Sequence, residues 1–214
     1  MNHRIDFINS LGLNLSAAQL ACLELYADLV WQKKEQLNLT SVRDKQEIWD
    51  RHILDGLISA AYIAKTCGGK SVSAADYGAG AGYIGIVIKI ALDFCSVTLV
   101  EGLQKRCMFM EWVNFKLGLK NIKVLNARAE TLHEQEEFDF TLERAMGKID
   151  EVLPLCTAQL KSGGLFLAYQ GEDSTFDKAK AGEIKISQQS IISYTLPCDD
   201  KIRKLAVFKK DGYN

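Results

Sequence analysis

The chain has 214 residues, a formal net charge of −1, 48% hydrophobic and 25% charged residues, and only 2 prolines. That is enough for one sizeable core, with the balance of an ordinary globular protein rather than a disordered one. The near-neutral charge excludes a protein that grips nucleic acid with its whole surface, so any such contact is expected as a local basic patch.

The opening segment, Met1 to Ser10, is polar and lacks the apolar stretch of a secretory leader. Beyond it, Leu20, Leu23, Tyr26, Ala27, Val30 and Trp31 recur at helical spacing, and Ser16 is placed to cap that helix. Asn38-Leu39-Thr40-Ser41 is a polar connection. Lys45 to Ala64 reads as further helix, with a break expected near Gly56. The pattern then alternates. Val72–Tyr77 reads as a strand, Tyr83–Leu92 as a helix, Ser96–Glu101 as a strand, and Gln104–Leu117 as a helix stopped by Gly118. Ile122–Ala127 and Phe138–Leu142 are strands, and Ile149–Leu160 is a helix. Gly163-Gly164 is expected to turn into the strand Leu165–Tyr169, followed by β-rich segments at Ile184–Tyr194 and Leu205–Phe208.

This order predicts an α/β fold with a doubly wound, mostly parallel sheet and antiparallel strands at one edge. Two domains are expected: an N-terminal helical appendage over 1–70 and a Rossmann-like domain over 71–214. The longest apolar stretches are interrupted by Glu24, Lys89 or Asp93, so no membrane span and a cytoplasmic protein are expected. The six cysteines form no C-x-x-C pair and predict buried, reduced thiols. His3, His52 and His133 are far apart, and no metal site is expected.

The segment Asp76-Tyr77-Gly78-Ala79-Gly80-Ala81-Gly82-Tyr83-Ile84-Gly85 joins a strand to a helix. Gly78, Gly80 and Gly82 let a ligand approach the backbone, and the helix start offers unpaired N–H groups. Glu101 ends the next strand, where a ribose-binding carboxylate belongs. A dinucleotide and S-adenosylmethionine share this geometry. Asp76 favours the second, because an acid beside a pyrophosphate is repelled whereas one near the cationic methionine part is not. A nicotinamide dehydrogenase is thus the weaker alternative.

Asn38-Leu39-Thr40-Ser41-Val42-Arg43-Asp44, followed by Arg51-His52-Ile53-Leu54-Asp55, resembles the bacterial RsmG (GidB) family. The likeness continues through the glycine loop, Lys105-Arg106, Arg128-Ala129-Glu130, Arg144-Ala145 and Gly163-Gly164. It implies a class I methyltransferase that uses S-adenosylmethionine to methylate guanine N7 in 16S ribosomal RNA. It implies cofactor contacts at Gly78, Tyr83, Ala129, Glu130 and Arg144, with Glu101 at the ribose. The partner implied is 16S ribosomal RNA or the small ribosomal subunit, met by a monomer.

Arg43, His52 and Arg128 are the residues expected to face RNA, with Lys33-Lys34 and Lys105-Arg106 as further phosphate contacts. A lone lysine otherwise reads as a solvated helix face, and Trp31, Trp49 and Trp112 as packing. His52 and Asp55 stand one helical turn apart and are expected to face each other. Lys201, Arg203, Lys204, Lys209 and Lys210 read as the guard of an edge strand.

The chain departs from the family's pattern in four places. Tyr83-Ile84-Gly85-Ile86-Val87 lacks the two usual prolines, Glu101 stands for Asp, Glu143 for Ser, and Gln170 for Lys. These leave two alternatives beside RNA methylation: a small-molecule methyltransferase with the helical segment as a lid, and a cofactor-binding protein without activity. Methylation at N7 removes no proton, so no catalytic acid–base pair is expected. Glu143 is a candidate for stabilising the cationic product, or else a solvent-facing strand end.

Overall fold

The computed structural model describes residues 2–132, 137–174 and 184–213. It opens on two helices, α1 (Asn2–Ser10) and α2 (Ala17–Leu37). Ser16 caps α2 as expected: its Oγ accepts from the Gln19 N–H at 3.2 Å, and the Gln19 side chain accepts from the Ser16 N–H at 2.9 Å. α2 stops at Asn38, which adopts a left-handed conformation. The polar opening segment gave no sign of α1. It is held by tertiary contacts instead, with Ile8 in the core and Arg4 Nε donating to Asp50 Oδ1 at 2.6 Å.

The second helical stretch is continuous but irregular. A short α3 (Lys45–Glu47) passes into a π-helical segment, Ile48–Ile53, and then into α4 (Leu54–Cys67). The irregularity expected near Gly56 therefore lies upstream, and Gly56 itself sits inside α4. Its lack of a side chain serves packing. A Cβ there would stand 2.5 Å from the Tyr83 carbonyl oxygen and 3.0 Å from Val87 Cβ.

The rest alternates. β1 (Val72–Tyr77), α5 (Gly85–Ala91), β2 (Cys95–Glu101), α6 (Gln104–Leu117) and β3 (Ile122–Asn126) are followed by a 3₁₀ turn, Ala129–Thr131. β4 (Phe138–Arg144), α7 (Ile149–Ala158), β5 (Leu160–Gly171), β6 (Ile184–Tyr194) and β7 (Arg203–Tyr213) complete the chain. The Gly163-Gly164 turn is absorbed within β5 as an irregularity: Phe138 pairs with Leu160, but Phe140 pairs with Leu165.

The seven strands form one sheet in the order β3-β2-β1-β4-β5-β7-β6. The first five are parallel, and β7 runs antiparallel to both β5 and β6. β7 is thus an inner strand, not the lysine-guarded edge its sequence suggested. Lys210 is buried and donates to the Ala158 and Leu160 carbonyls at 3.1 and 2.6 Å. From β1 the chain winds outward to β3, then returns to β4 on β1's other side. The order of winding, not the strand direction, reverses between the parallel β1 and β4, so a crevice opens at their carboxyl ends, where ligands of such sheets bind.

One apolar cluster joins Leu23 and Tyr26 of α2, Ile53 to Ile63 of the π segment and α4, Ile86 to Ile90 of α5, and Leu99 of β2. On the other sheet face, Tyr77, Val152, Leu153, Phe166 and Phe208 pack together. The six cysteines are free thiols. Cys198 is exposed, against the expectation of burial. No group of metal-binding side chains occurs among the described residues, and His133 lies outside them.

Because α4 meets the Tyr83 backbone at Gly56, we expect Gly56→Ala to lower the unfolding free energy by about 1–3 kcal/mol. A thermal melt should show a drop of several degrees relative to wild type. An unchanged melting temperature would mean that α4 and the loop do not meet this closely.

Candidate functional site

The loop after β1 is built from backbone. Gly78, Gly80 and Gly82 all have positive φ, at 63°, 63° and 84°. The Ala79 N–H donates to the Val100 carbonyl at 3.0 Å, and the Gly82 N–H to the Ala79 carbonyl at 2.7 Å. The glycines are required for different reasons. At Gly82 a Cβ would stand 2.4 Å from Ile86 Cδ1, so the requirement is close packing of α5. At Gly80 a Cβ would meet only the Gly78 carbonyl oxygen, at 3.8 Å. The front of the loop is therefore open where the backbone bends.

Glu101 locks this loop from the next strand. Its Oε2 accepts from the Gly80 N–H at 2.9 Å, and its Oε1 from the Leu103 N–H at 2.9 Å. Arg106 Nη1 lies 3.7 Å from Oε2. Each oxygen of a carboxylate has capacity for a second donor. A buried, oriented carboxylate beside an open glycine bend fits a ribose diol attached to a bulky cofactor, so the residues present fit S-adenosylmethionine. Asp76 stands behind the loop. It is 2% exposed, and its Oδ2 accepts from the Gly85 N–H at 2.8 Å. It thus ties the strand end to the first amide of α5, a site where negative charge is favoured. Burial nevertheless pushes its pKa up to about 7.

The motif segment between α2 and α4 folds onto the same loop. His52 stacks on Tyr83, with centroids 4.1 Å apart and planes at 21°. Tyr26 meets the Tyr83 ring edge-on at 6.3 Å, and its hydroxyl donates to the Ala81 carbonyl at 2.9 Å. His52 Nε2 and Thr40 Oγ1 are hydrogen-bonded at 2.9 Å. Burial, then the charges of Arg144 and Arg51, push the His52 pKa down to about 3. At neutral pH it is an uncharged, stacked ring holding the loop.

Asp55 does not face His52. Its Oδ2 accepts from Arg144 Nη1 at 2.9 Å, and its Oδ1 from the Tyr194 hydroxyl at 2.5 Å. The Tyr169 hydroxyl donates to the Asp55 carbonyl at 3.0 Å and lies 2.6 Å from Ser59 Oγ. Burial works against the Arg144 charge, but the Asp55 carboxylate beside it holds the guanidinium pKa above its usual value. That guanidinium stands 5.3 Å from the Tyr83 ring centroid. The following residue, Ala145, is strained at φ 61°. Glu143 is fully buried, not a solvent-facing strand end. It accepts from the Met146 N–H and from Gln170 Nε2, each at 3.1 Å, and burial pushes its pKa up to about 7.

The structure thus gathers Gly78, Gly80, Gly82, Tyr83, Glu101, His52 and Arg144 around the loop, with Asp76 buried behind it. Ala129 and Glu130 lie in the 3₁₀ turn beyond β3, which the Ala127 N–H ties to the Glu101 carbonyl at 3.1 Å. Exposed Arg128 passes over Gly102, whose Cβ would lie 3.3 Å from Arg128 Cγ. Arg43 is exposed, and its N–H donates to Glu47 Oε2 at 3.2 Å, at the start of α3. Asp55 was legible as part of a motif, but its partners Tyr169 and Tyr194 carried no sequence signal.

Two measurements check this geometry. Glu101→Ala removes two charge-assisted acceptors and should weaken S-adenosylmethionine binding roughly ten- to hundredfold by calorimetry. Glu101→Asp should bind much nearer to wild type, and equal affinity in all three would remove Glu101 from the site. For His52 the folded-state pKa lies below the unfolded one, so protons favour the unfolded chain between about pH 6.5 and 3. Stability that His52 confers at neutral pH is therefore lost as pH falls through that window. Asp76 and Glu143 act in the opposite sense, but equally in both proteins compared. Between about pH 7.5 and pH 5 the urea midpoint should fall more for wild type than for His52→Gln. Parallel shifts would show that His52 is not buried as the neutral ring.

Comparison with known proteins bears on what this crevice serves. The family model "GidB: rRNA small subunit methyltransferase G" matches residues 19–206. Ribosomal RNA small subunit methyltransferase G from Bacillus velezensis is 32% identical, over 96% of this chain and 89% of its own. The protein of that name from Halalkalibacterium halodurans is 33% identical, over 94% and 86%. Among solved structures, TrmN from Thermus thermophilus matches with a TM-score of 0.57 at 17% identity, covering 72% of this chain and 48% of that one. Precorrin-6y C5,15-methyltransferase from Geobacter metallireducens matches at 0.51 and 17%, covering 71% and 87%. These structural likenesses speak to the fold, which is Rossmann-like and of the class I methyltransferase type. The sequence matches reach further: the chain belongs to the GidB family of rRNA small subunit methyltransferase G proteins.

Proposed function

We propose that this protein transfers the methyl group of S-adenosylmethionine to N7 of a guanine in 16S ribosomal RNA. The observation that carries the reading is the Glu101 clamp on the open Gly80 bend, in a chain that matches this family over most of its length. The cofactor supplies an activated methyl on a sulfonium centre. The residues proposed to hold it are the Gly78–Gly82 backbone, Glu101 at the ribose, and the Ala129-Glu130 turn.

N7 of guanine bears no proton and presents its lone pair in the base plane. The chain therefore need not remove a proton. Its task is to align the base and exclude water. Arg144, held by Asp55 and facing the Tyr83 ring, is proposed to shape the crevice wall at the carboxyl end of β4. The buried carboxyl of Glu143 next to Arg144, and that of Asp76 behind the loop, are proposed to stabilise the base as it becomes cationic, with burial holding both close to neutral beforehand. Arg128 and Arg43, exposed on either side, are proposed as phosphate contacts. No helix among the described residues is long and apolar enough to cross a membrane. A cytoplasmic monomer meeting the small subunit or its RNA is part of the same proposal.

The test is incubation with labelled S-adenosylmethionine and small ribosomal subunits lacking N7-methylguanosine. Label should enter one guanine of 16S RNA, and subunits already methylated there should take up none. Tight cofactor binding without label in RNA would refute RNA methylation.

A further inference from the structure

Helix α6 is apolar on two faces. Cys107, Phe109, Met110 and Val113 turn inward. Met108, Trp112 and Phe115 recur at i, i+4 and i+7 on the outside, where Met108 is 59% and Phe115 81% exposed. A single exposed apolar residue needs no explanation, but a stripe along one helix does. This stripe borders a groove of about 350 Å³ between α2 and α6, lined by Lys33, Gln36, Leu37, Lys105, Met108, Phe109 and Trp112.

The rims of the groove are cationic. Lys33 Nζ lies 5.9 Å from the Trp112 ring centroid, and Lys105 faces it from the first turn of α6. Lys33 and Lys105 are the charged residues lining the groove, and no acid among the described residues lines it, in a chain whose net charge is −1. An apolar, aromatic floor between lysines is the chemistry that binds single-stranded nucleic acid: bases stack and phosphates meet the cations. The groove is close in the chain to the site. Lys105, in the first turn of α6, comes four residues after Glu101 ends β2, and Leu37 ends α2 three residues before Thr40, which is bonded to His52.

We propose that the α2–α6 groove binds a single-stranded segment of the substrate RNA, with a base against Trp112 and Met108 and phosphates on Lys33 and Lys105. This inference rests on the RNA-methylating reading above. It assigns to that reaction a contact outside the cofactor crevice. Trp112 then combines packing against Phe109, at a centroid distance of 6.0 Å, with base stacking.

The test uses the whole protein, a fluorescent single-stranded RNA of roughly 12 nucleotides and unmethylated small subunits. Lys33→Ala/Lys105→Ala removes one half-buried and one exposed lysine, and an unchanged thermal melt checks that the fold is kept. Wild type should bind the RNA, and this variant should bind it with a salt dependence shallower by about 1.4 in log K against log salt, from two lost phosphate contacts. Met108→Ser should weaken RNA binding severalfold with the salt slope unchanged. In methylation, both variants should raise KM for subunits at least severalfold while keeping kcat and cofactor affinity. If wild type methylates subunits and the variants match it in KM and salt slope, the groove proposal fails while the RNA reading stands. If wild type binds the oligonucleotide with these dependences yet methylates no RNA, the RNA reading fails and the groove stands. If the variants lose only subunit binding and treat naked RNA as wild type does, the groove meets a protein, and the proposal is overturned.

Discussion

The ion pair between Asp55 and Arg144 is the contact on which the rest of the crevice depends. It joins α4 to the carboxyl end of β4, and Tyr169 and Tyr194 bring β5 and the end of β6 onto the same aspartate. Taking such charges out of water is costly, and removing one partner of a buried pair typically loses about 3–5 kcal/mol. Here the aspartate is fully engaged: its carboxylate accepts from a guanidinium and a phenol, and its carbonyl from a second phenol. The pair does little for the stability of any single element. It fixes where the helical layer sits against the strand ends, and so where Arg144 points.

A second constraint is the closeness of backbones around the glycine loop. α4 approaches it at Gly56, α5 folds against it at Gly82, and Glu101 holds its middle from β2. The two usual loop prolines are missing from this chain. A proline stiffens a loop by restricting the unfolded chain. Here order comes instead from hydrogen bonds and from the Tyr83 ring, stacked on His52 and met by Tyr26 and Arg144. The residues that secure that ring, Tyr26 and His52, lie far upstream.

The parallel half of the sheet was readable from sequence because those strands are short apolar runs bounded by glycines and acids. β1 matched residue for residue. The loop residues and Glu101 were readable because their spacing is local to one strand–turn–helix–strand unit. What escaped depends on distant partners. α1 has no clear periodicity and is held by Asp50, 46 residues away from Arg4. β7 outran its apolar core because pairing with β5 and β6 on both sides extends it over polar residues. Asp55 was noticed, but its neighbours in sequence suggested His52 as its partner. The partners it has lie 89 and 139 residues away.

The π-helical stretch Ile48–Ile53 has a consequence for how this protein tolerates change. A π turn places one more residue in the helix than an α turn would, so everything after it is rotated by roughly 100° relative to what precedes. His52 falls inside the stretch and Asp55 just beyond it. The two residues serve different walls of one crevice, His52 against Tyr83 and Asp55 against Arg144. The length of this segment is therefore itself a coded quantity. Deleting one residue could make a better helix by local criteria, yet it would swing Asp55 away from Arg144 or His52 away from Tyr83. Homologous chains should keep the length of this segment together with His52 and Asp55.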